Sequence, residues 1–94
     1  MLAQDPQNTF ARYGLAMAYG NAGDLESALG EYRTLLANDP NYAAAYFHGG
    51  QVLEKLGRIE EARDLYEKGI EVTGRIGDHH TQNELQAAME LLPV

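Results

Sequence analysis

Two apolar-periodic stretches of the chain are separated by the segment Leu36-Ala37-Asn38-Asp39-Pro40-Asn41-Tyr42. Proline has no backbone N–H and disfavours helix in the residue before it, so Asp39-Pro40 predicts the end of a helix. Asn41 is of a type that caps helices and predicts the start of the next one. An altered copy of the segment, Leu2-Ala3-Gln4-Asp5-Pro6-Gln7-Asn8, precedes the first apolar stretch.

The two copies lie 34 positions apart, since Pro6 aligns with Pro40 and Asp5 with Asp39. Other identical pairs follow the same spacing: Ala11 with Ala45, Gly23 with Gly57, Glu26 with Glu60, Ala28 with Ala62, and Tyr32 with Tyr66. The matches concentrate at small, aromatic and turn residues, which packing between helices would dictate. A fixed period of about this length predicts an internal helical repeat.

Apolar spacing and turn residues predict five helices, at about 9–21, 25–38, 42–56, 59–73 and 79–92. Gly23 is expected to end the first helix in the left-handed conformation, and Asp24 to cap the second. The segment 74–78 is expected to break the repeat. The fifth helix is expected to be capped by Asp78 or Thr81, and Thr81 with Glu84 fits a capping box.

The pair Gly49-Gly50 lies in the middle of the third predicted helix. Each glycine costs about 0.8–1 kcal/mol relative to alanine in a helix interior. That cost is understandable if a bulky ring from a neighbouring helix rests against the backbone there. A local kink is the alternative interpretation.

The helical pattern, the length and the composition together predict one small all-α globular domain. Hydrophobic residues are 45% and charged residues 22% of the 94, and no cysteine is present. The net charge of −7 argues against nucleic-acid binding, which needs clustered basic residues. We expect no membrane contact and a cytoplasmic location, because the sequence has no transmembrane-length apolar run, secretory signal or cysteine.

The repeat resembles the tetratricopeptide repeat (TPR). The residues that carry the likeness in the first repeat are Leu15, Ala16, Tyr19, Gly23, Asp24, Ala28, Tyr32, Leu36, Asp39 and Pro40. In the second they are Tyr46, Gly50, Gly57, Ala62, Tyr66 and Ile70. The resemblance implies two tandem antiparallel helix-turn-helix repeats at 9–42 and 43–76, in a short right-handed superhelical array. Residues 1–8 would be an N-terminal stub, and 77–94 a C-terminal capping helix whose stripe is Leu85, Ala88, Met89 and Leu92.

In this family the inner faces of the first helices of successive repeats line a concave groove. The matching positions predict partner-binding residues at Phe10, Tyr13, Met17, Asn21, Phe47, Gln51, Glu54 and Lys55. We expect Phe10, Tyr13 and Met17 to be exposed. The alternative is that these side chains pack against each other or against a further repeat. Some members clamp a partner's terminal carboxylate with Lys, Arg and Asn, but Tyr13, Met17 and His48 occupy the matching positions, so that activity is not expected here.

Other chemistry receives little support. His80 and Glu84 lie one helical turn apart, but zinc needs at least three protein ligands, and a polar helix start explains them as well. The acidic residues 60–71 spread around a solvated helix face. With no catalytic triad or phosphate loop, neither enzyme activity nor a cofactor is expected. The sequence predicts a non-catalytic module that binds a protein or peptide, and the alternative is a homo-oligomerising structural unit.

Overall fold

The structure, a computed structural model, describes residues 8–93 as five α-helices. They are α1 (Thr9–Asn21), α2 (Leu25–Asn38), α3 (Ala43–Lys55), α4 (Ile59–Ile76) and α5 (His79–Glu90). The predicted bounds of α1 and α2 are confirmed. The predicted stub 1–8 lies outside the described residues except for Asn8, whose Oδ1 accepts the Ala11 N–H at 3.0 Å and caps α1.

The turn inside each helix pair depends on a glycine with a left-handed backbone. Gly23 has φ 84° and Gly57 has φ 78°, a conformation that residues with a Cβ rarely adopt. After the first turn, the Asp24 carboxylate accepts the Ser27 N–H at 3.3 Å, as expected for the cap of α2. Each pair therefore folds back on itself as two antiparallel helices.

Several local predictions were wrong, including the end of α5, which is Glu90 rather than residue 92. Asn41 does not cap α3, because Tyr42 holds that position without a side-chain bond, and Asn41 instead accepts from Arg75 at 3.3 Å. The helix α4 does not end at residue 73, since no proline stops it, and it continues until Gly77 adopts φ 79°. Of the two predicted caps of α5, Asp78 is confirmed and accepts the Thr81 N–H at 3.1 Å, so the capping box of Thr81 with Glu84 is absent.

Small residues allow the helices to approach closely. Ala28 and Ala62 are both completely buried, at the positions predicted for helix crossings. A Cβ on Gly50 would lie 2.1 Å from Cε1 of the Tyr66 ring. This contact confirms the prediction of a ring against the α3 backbone, and α3 is an uninterrupted helix through the glycine pair.

The helix α5 covers the second helix pair. Leu85 is completely buried, and its Cδ1 would lie 2.9 Å from a Cβ on Gly69 of α4. Gln82 donates its side-chain N–H to the Ile70 carbonyl at 3.2 Å, and α5 also contacts α3. The result is an all-α helical repeat fold in which α1, α3 and α5 follow one another along the array.

Candidate partner-binding groove

The helices α1, α3 and α5 present equivalent positions to one side of the array when residues are counted from their N-caps Asn8, Tyr42 and Asp78. The ninth residues after the caps are Met17, Gln51 and Ala87, and the thirteenth are Asn21, Lys55 and Leu91. All six line one of two neighbouring cavities. The three helices therefore contribute successive rows of side chains to a single groove.

The first cavity lies between α1 and α3 and has a volume of about 220 Å³. It brings together four predicted site residues with aliphatic, aromatic and polar neighbours; its lining is Met17, Gly20, Asn21, Tyr32, His48, Gln51, Val52 and Lys55. Side-chain amides and the Lys55 ammonium form its polar side. This half of the groove offers hydrogen-bond donors above an apolar floor.

The second cavity, of about 320 Å³, lies between α3 and α5. It contains three predicted site residues, two residues of α5 and the C-cap of that helix; its lining is Phe47, Gln51, Glu54, Ala87, Ala88 and Leu91. Gln51 belongs to both cavities and separates them. This half is more apolar in residue type, and its charged group is the Glu54 carboxylate.

Tyr13 belongs to an aromatic cluster rather than to an exposed surface. Its ring centroid lies 5.3 Å from that of Tyr42, 5.8 Å from His48 and 6.3 Å from Tyr32. Burial raises the pKa of the Tyr13 hydroxyl. The predicted exposure of Tyr13 was wrong, because rings from α2 and α3 and the intervening Tyr42 enclose it.

Hydrogen bonds connect the groove floor to the helices α2 and α4. The Tyr32 hydroxyl donates to Met17 Sδ at 3.0 Å, and burial raises the pKa of Tyr32 to about 12. Burial raises the pKa of Tyr66, and so does the hydrogen bond that its hydroxyl donates to the Glu54 carboxylate. Met17 is thus half-buried rather than exposed, and α2 and α4 hold Met17 and Glu54 in place.

Phe10 does not join the other predicted residues. Its side chain is 76% exposed, as predicted, and it lines neither groove cavity. Phe10 lies on the first turn of α1, and the α1 residues that line the groove come from the second half of that helix.

Sequence reasoning left seven of the lining residues out of the predicted site: Gly20, Tyr32, His48, Val52, Ala87, Ala88 and Leu91. His48 packs between rings, 5.8 Å from Tyr13 and 5.4 Å from Phe47, and burial lowers its pKa. Leu91 is 83% exposed. Counting residues from the Asp78 cap would have identified Ala87 and Leu91, because α5 repeats the inner positions of α1 and α3.

The pair His80 and Glu84 was the possible metal site in the sequence. His80 Nε2 lies 3.8 Å from Glu84 Oε1, and within residues 8–93 no third His, Cys, Asp or Glu completes a metal-binding group. No helix in the described part of the chain is long and apolar enough to cross a membrane.

Comparison with known proteins gives consistent results. The family model of the tetratricopeptide repeat matches residues 13–79. A TPR repeat-containing protein of Pseudomonas aeruginosa is 29% identical over 92 residues, which cover 98% of this chain and 88% of that protein. A tetratricopeptide repeat domain of Salinibacter ruber, solved by NMR, has a TM-score of 0.85 and 36% identity over 90% of this chain and 86% of that one. The crystal structure of YrrB, a TPR protein with an unusual peptide-binding site, has a TM-score of 0.71 at 22% identity and covers 95% of this chain and 46% of that one.

This chain belongs to the tetratricopeptide repeat family. Proteins of this family are generally non-catalytic modules for interaction with other proteins.

Proposed function

We propose that the protein is a non-catalytic module that binds a protein or peptide segment in the groove formed by α1, α3 and α5. The observation that supports this most strongly is the pair of adjoining cavities along equivalent positions of the three helices. A groove already present in the free protein accepts a segment without a large change of shape. YrrB has an unusual peptide-binding site, but at 22% identity that likeness concerns the fold, and the proposal rests on the groove itself.

The chemistry of the two halves suits different partner groups. The half between α3 and α5 is lined by Phe47, Ala87 and Leu91, and we expect it to take an apolar side chain. The half between α1 and α3 presents Asn21, Gln51 and Lys55, which suit polar backbone or side-chain groups. Aromatic and aliphatic anchors beside a polar rim are typical of interaction hot spots.

We propose the repeat units 9–42 and 43–76, with 77–94 as the closing segment, as the working division of the chain. In this division α5 has two roles. Leu85 packs towards α4, while Leu91 lines the groove. The cytoplasmic location expected from the sequence stays a prediction.

Selection of binders from a displayed library of random peptides tests the groove directly. A selected peptide is synthesised and its dissociation constant is measured by calorimetry with the parent and with two variants. Phe47→Ala and Gln51→Ala are each expected to weaken binding by about 5- to 100-fold, the range expected for anchor residues. The control is Gln86→Ala, because Gln86 is an exposed glutamine of α5 that lines neither cavity.

The proposal is wrong if peptides selected in repeated rounds bind Phe47→Ala and Gln51→Ala as tightly as the parent. It is also wrong if no peptide competes with another for the same surface, since a single groove requires competition.

A further inference from the structure

A second cleft lies between α2 and α4, and none of the residues that line it lines the groove. It consists of two neighbouring cavities, of about 300 and 260 Å³, which share Arg33, Leu36, Leu65 and Lys68. Two buried residues of α3 form its floor, Tyr46 and Leu53. Every lining residue falls within 33–68, so the cleft lies between the two repeats and depends on neither end of the sequence.

The Glu61 carboxylate in this cleft already has cationic partners. Its Oε1 lies 2.9 Å from Arg33 Nη2, and this ion pair joins α2 to α4. Its Oε2 lies 2.6 Å from Nε of Arg58, the residue before α4. The other acid of the lining, Asp64, is exposed and makes no ion pair or hydrogen bond with residues 8–93. Asp64 is therefore the carboxylate whose charge is left uncompensated in the cleft.

The cavity next to Pro40 combines an apolar lining with two cations and no acid. Its uncharged lining residues are Leu36, Ala37, Pro40, Tyr46 and Leu65. The other two are Arg33, which pairs with Glu61, and Lys68, whose ammonium makes no ion pair or hydrogen bond with the described residues. The local charge is thus opposite in sign to the net charge of −7.

These features select the chemistry of a partner. An aliphatic side chain suits the apolar lining, and a carboxylate beside it suits the uncompensated Lys68. A basic group at the same place would be repelled by both Lys68 and Arg33. Asp64 precedes Lys68 by one helical turn, so we expect the partner's carboxylate on the Pro40 side of Lys68.

We propose that the cleft between α2 and α4 is a second binding surface, which takes a protein segment carrying an aliphatic side chain next to a side-chain carboxylate. The aliphatic group packs over Leu36 and Leu65, and the carboxylate pairs with Lys68. The cleft shares no lining residue with the groove, so this proposal does not rest on binding in the groove. The protein can then hold two segments at once.

Peptides selected from a displayed random library provide the probes. Selection uses the full chain, so residues 1–7 and 94 are present throughout. Each peptide is synthesised with an amidated C-terminus, which leaves side chains as the source of any carboxylate, and its dissociation constant is measured by calorimetry. The two lysines of the chain give a matched pair of variants, because Lys68 lines the cleft and Lys55 lines the groove. Lys68→Glu and Lys55→Glu each make the net charge more negative by two.

We expect one class of selected peptides to carry Asp or Glu next to an aliphatic residue. Lys68→Glu should weaken their binding by about 5- to 30-fold, because the reversal replaces an attraction by a repulsion of similar size. Lys55→Glu should leave their binding unchanged. Asp64→Asn should strengthen it, because a like charge is removed. Exchange of the peptide's acidic residue for Lys should weaken binding to the parent and restore binding to Lys68→Glu.

A second pair of variants tests the apolar part of the cleft. Ala37 and Ala87 are both exposed, and they line the cleft and the groove respectively. Ala37→Phe fills the cleft and should weaken binding of the acidic peptides by about tenfold or more, whereas Ala87→Phe should leave it unchanged. Melting curves check that every variant is folded, and the charge exchange with Lys68→Glu adds no bulk to the core.

The proposal is overturned if no selected peptide loses affinity with both Lys68→Glu and Ala37→Phe. It is also overturned if the peptides that do so carry a basic residue in place of the acid. Sedimentation of the parent without peptide gives a third check, since a dimer that both variants prevent would assign the cleft to a second copy. Peptides that are lost with Phe47→Ala and kept with Lys68→Glu bind the groove, so failure of one proposal is distinguished from failure of the other.

Discussion

The Tyr66 ring rests against the backbone of Gly50, so closely that a Cβ on this glycine would lie 2.1 Å from the ring. Tyr66 is completely buried and Gly50 is buried in the middle of α3. The contact joins the two helices of the second pair at the glycine pair of α3, where the helix lacks side-chain bulk. It explains why a glycine is present in a helix interior despite its low helix propensity.

Gly50→Ala should therefore destabilise the protein, although alanine favours helix by about 1 kcal/mol. The added methyl group must displace the ring or the backbone, and overpacking of this kind costs about 1–3 kcal/mol. We expect a melting temperature lower by several degrees, since about 1 kcal/mol corresponds to about 4–8 °C in a domain of this size. In contrast, Gly30→Ala adds its methyl group to open space and should raise the melting temperature. Equal stabilisation by both substitutions would contradict the role of the Tyr66 contact.

Substitution of either small crossing residue should have a comparable cost. Ala28 and Ala62 are both 0% exposed, so Ala28→Leu and Ala62→Leu have no room for the larger side chain. We expect each to lower the free energy of unfolding by about 1–3 kcal/mol in a urea titration. Ala37→Leu is the control, because Ala37 is exposed on α2. Melting of both buried variants within a degree of the parent would show that the helix pairing is wrong.

Loss of the α5 contact should remove the cover of the second helix pair. Leu85 is completely buried beside Gly69, so Leu85→Ala should cost about 2–5 kcal/mol. Truncation after Gly77 should be more severe and produce aggregation or unfolding, because a repeat array needs its terminal cap. Circular dichroism and light scattering measure both effects. A truncated chain that stays monomeric and unfolds cooperatively would mean that α5 is dispensable for the fold.

Phe47 and Tyr13 should differ in what their loss affects. Phe47 is half-buried and lines the groove, so Phe47→Ala should weaken the binding of a selected peptide by about 1–3 kcal/mol. It should lower the stability of the protein less than Ala28→Leu does. Tyr13 contacts three other rings, and Tyr13→Ala should also lower the melting temperature. Melting and binding measured on the same preparations separate these effects. If Phe47→Ala unfolds the domain as strongly as a core substitution, Phe47 is a core residue and the groove loses an anchor.

His48 should make stability depend on pH in the weakly acidic range. Burial lowers its pKa, against smaller opposing effects of the Glu84 carboxylate and a hydrogen bond with Gln51. His48 therefore binds a proton less readily in the folded state than in the unfolded state, where the pKa of histidine is about 6.5. Stability should fall as the pH decreases below about 6.5, because the unfolded chain takes up the proton first.

Urea titrations between about pH 7.5 and about pH 5 measure this dependence. His48→Gln should reduce the slope, and His79→Gln, at an exposed histidine of α5, should not. A slope unchanged in His48→Gln would assign the pH dependence to other groups.

The repeat and its helices were predictable from the sequence because their signals are local. Apolar spacing, Gly23 with its left-handed turn and Asp24 with its cap act within a few residues, so α1 and α2 were predicted to the residue. Local rules failed where two signals competed. Asn41 has a favourable cap chemistry, but it bonds Arg75 34 positions away along the chain. Gly74 lacks the rigidity of the proline at the matching position, so α4 continues to Gly77.

The tertiary structure decided which of the predicted residues line the groove and which are enclosed or exposed. Helical spacing placed Met17, Asn21, Gln51 and Lys55 on inner faces, and the structure brings these four around one cavity. Spacing alone could not show that Tyr13 is enclosed by rings or that Phe10 lies outside both cavities, because both lie on the same side of an isolated α1. The exposure of a side chain depends on which other helices pack beside it, and that information comes from residues far away in the chain. The sequence by itself therefore determined the elements and their order, while the packing of α3 against α1 and α5 decided which of their side chains face the groove.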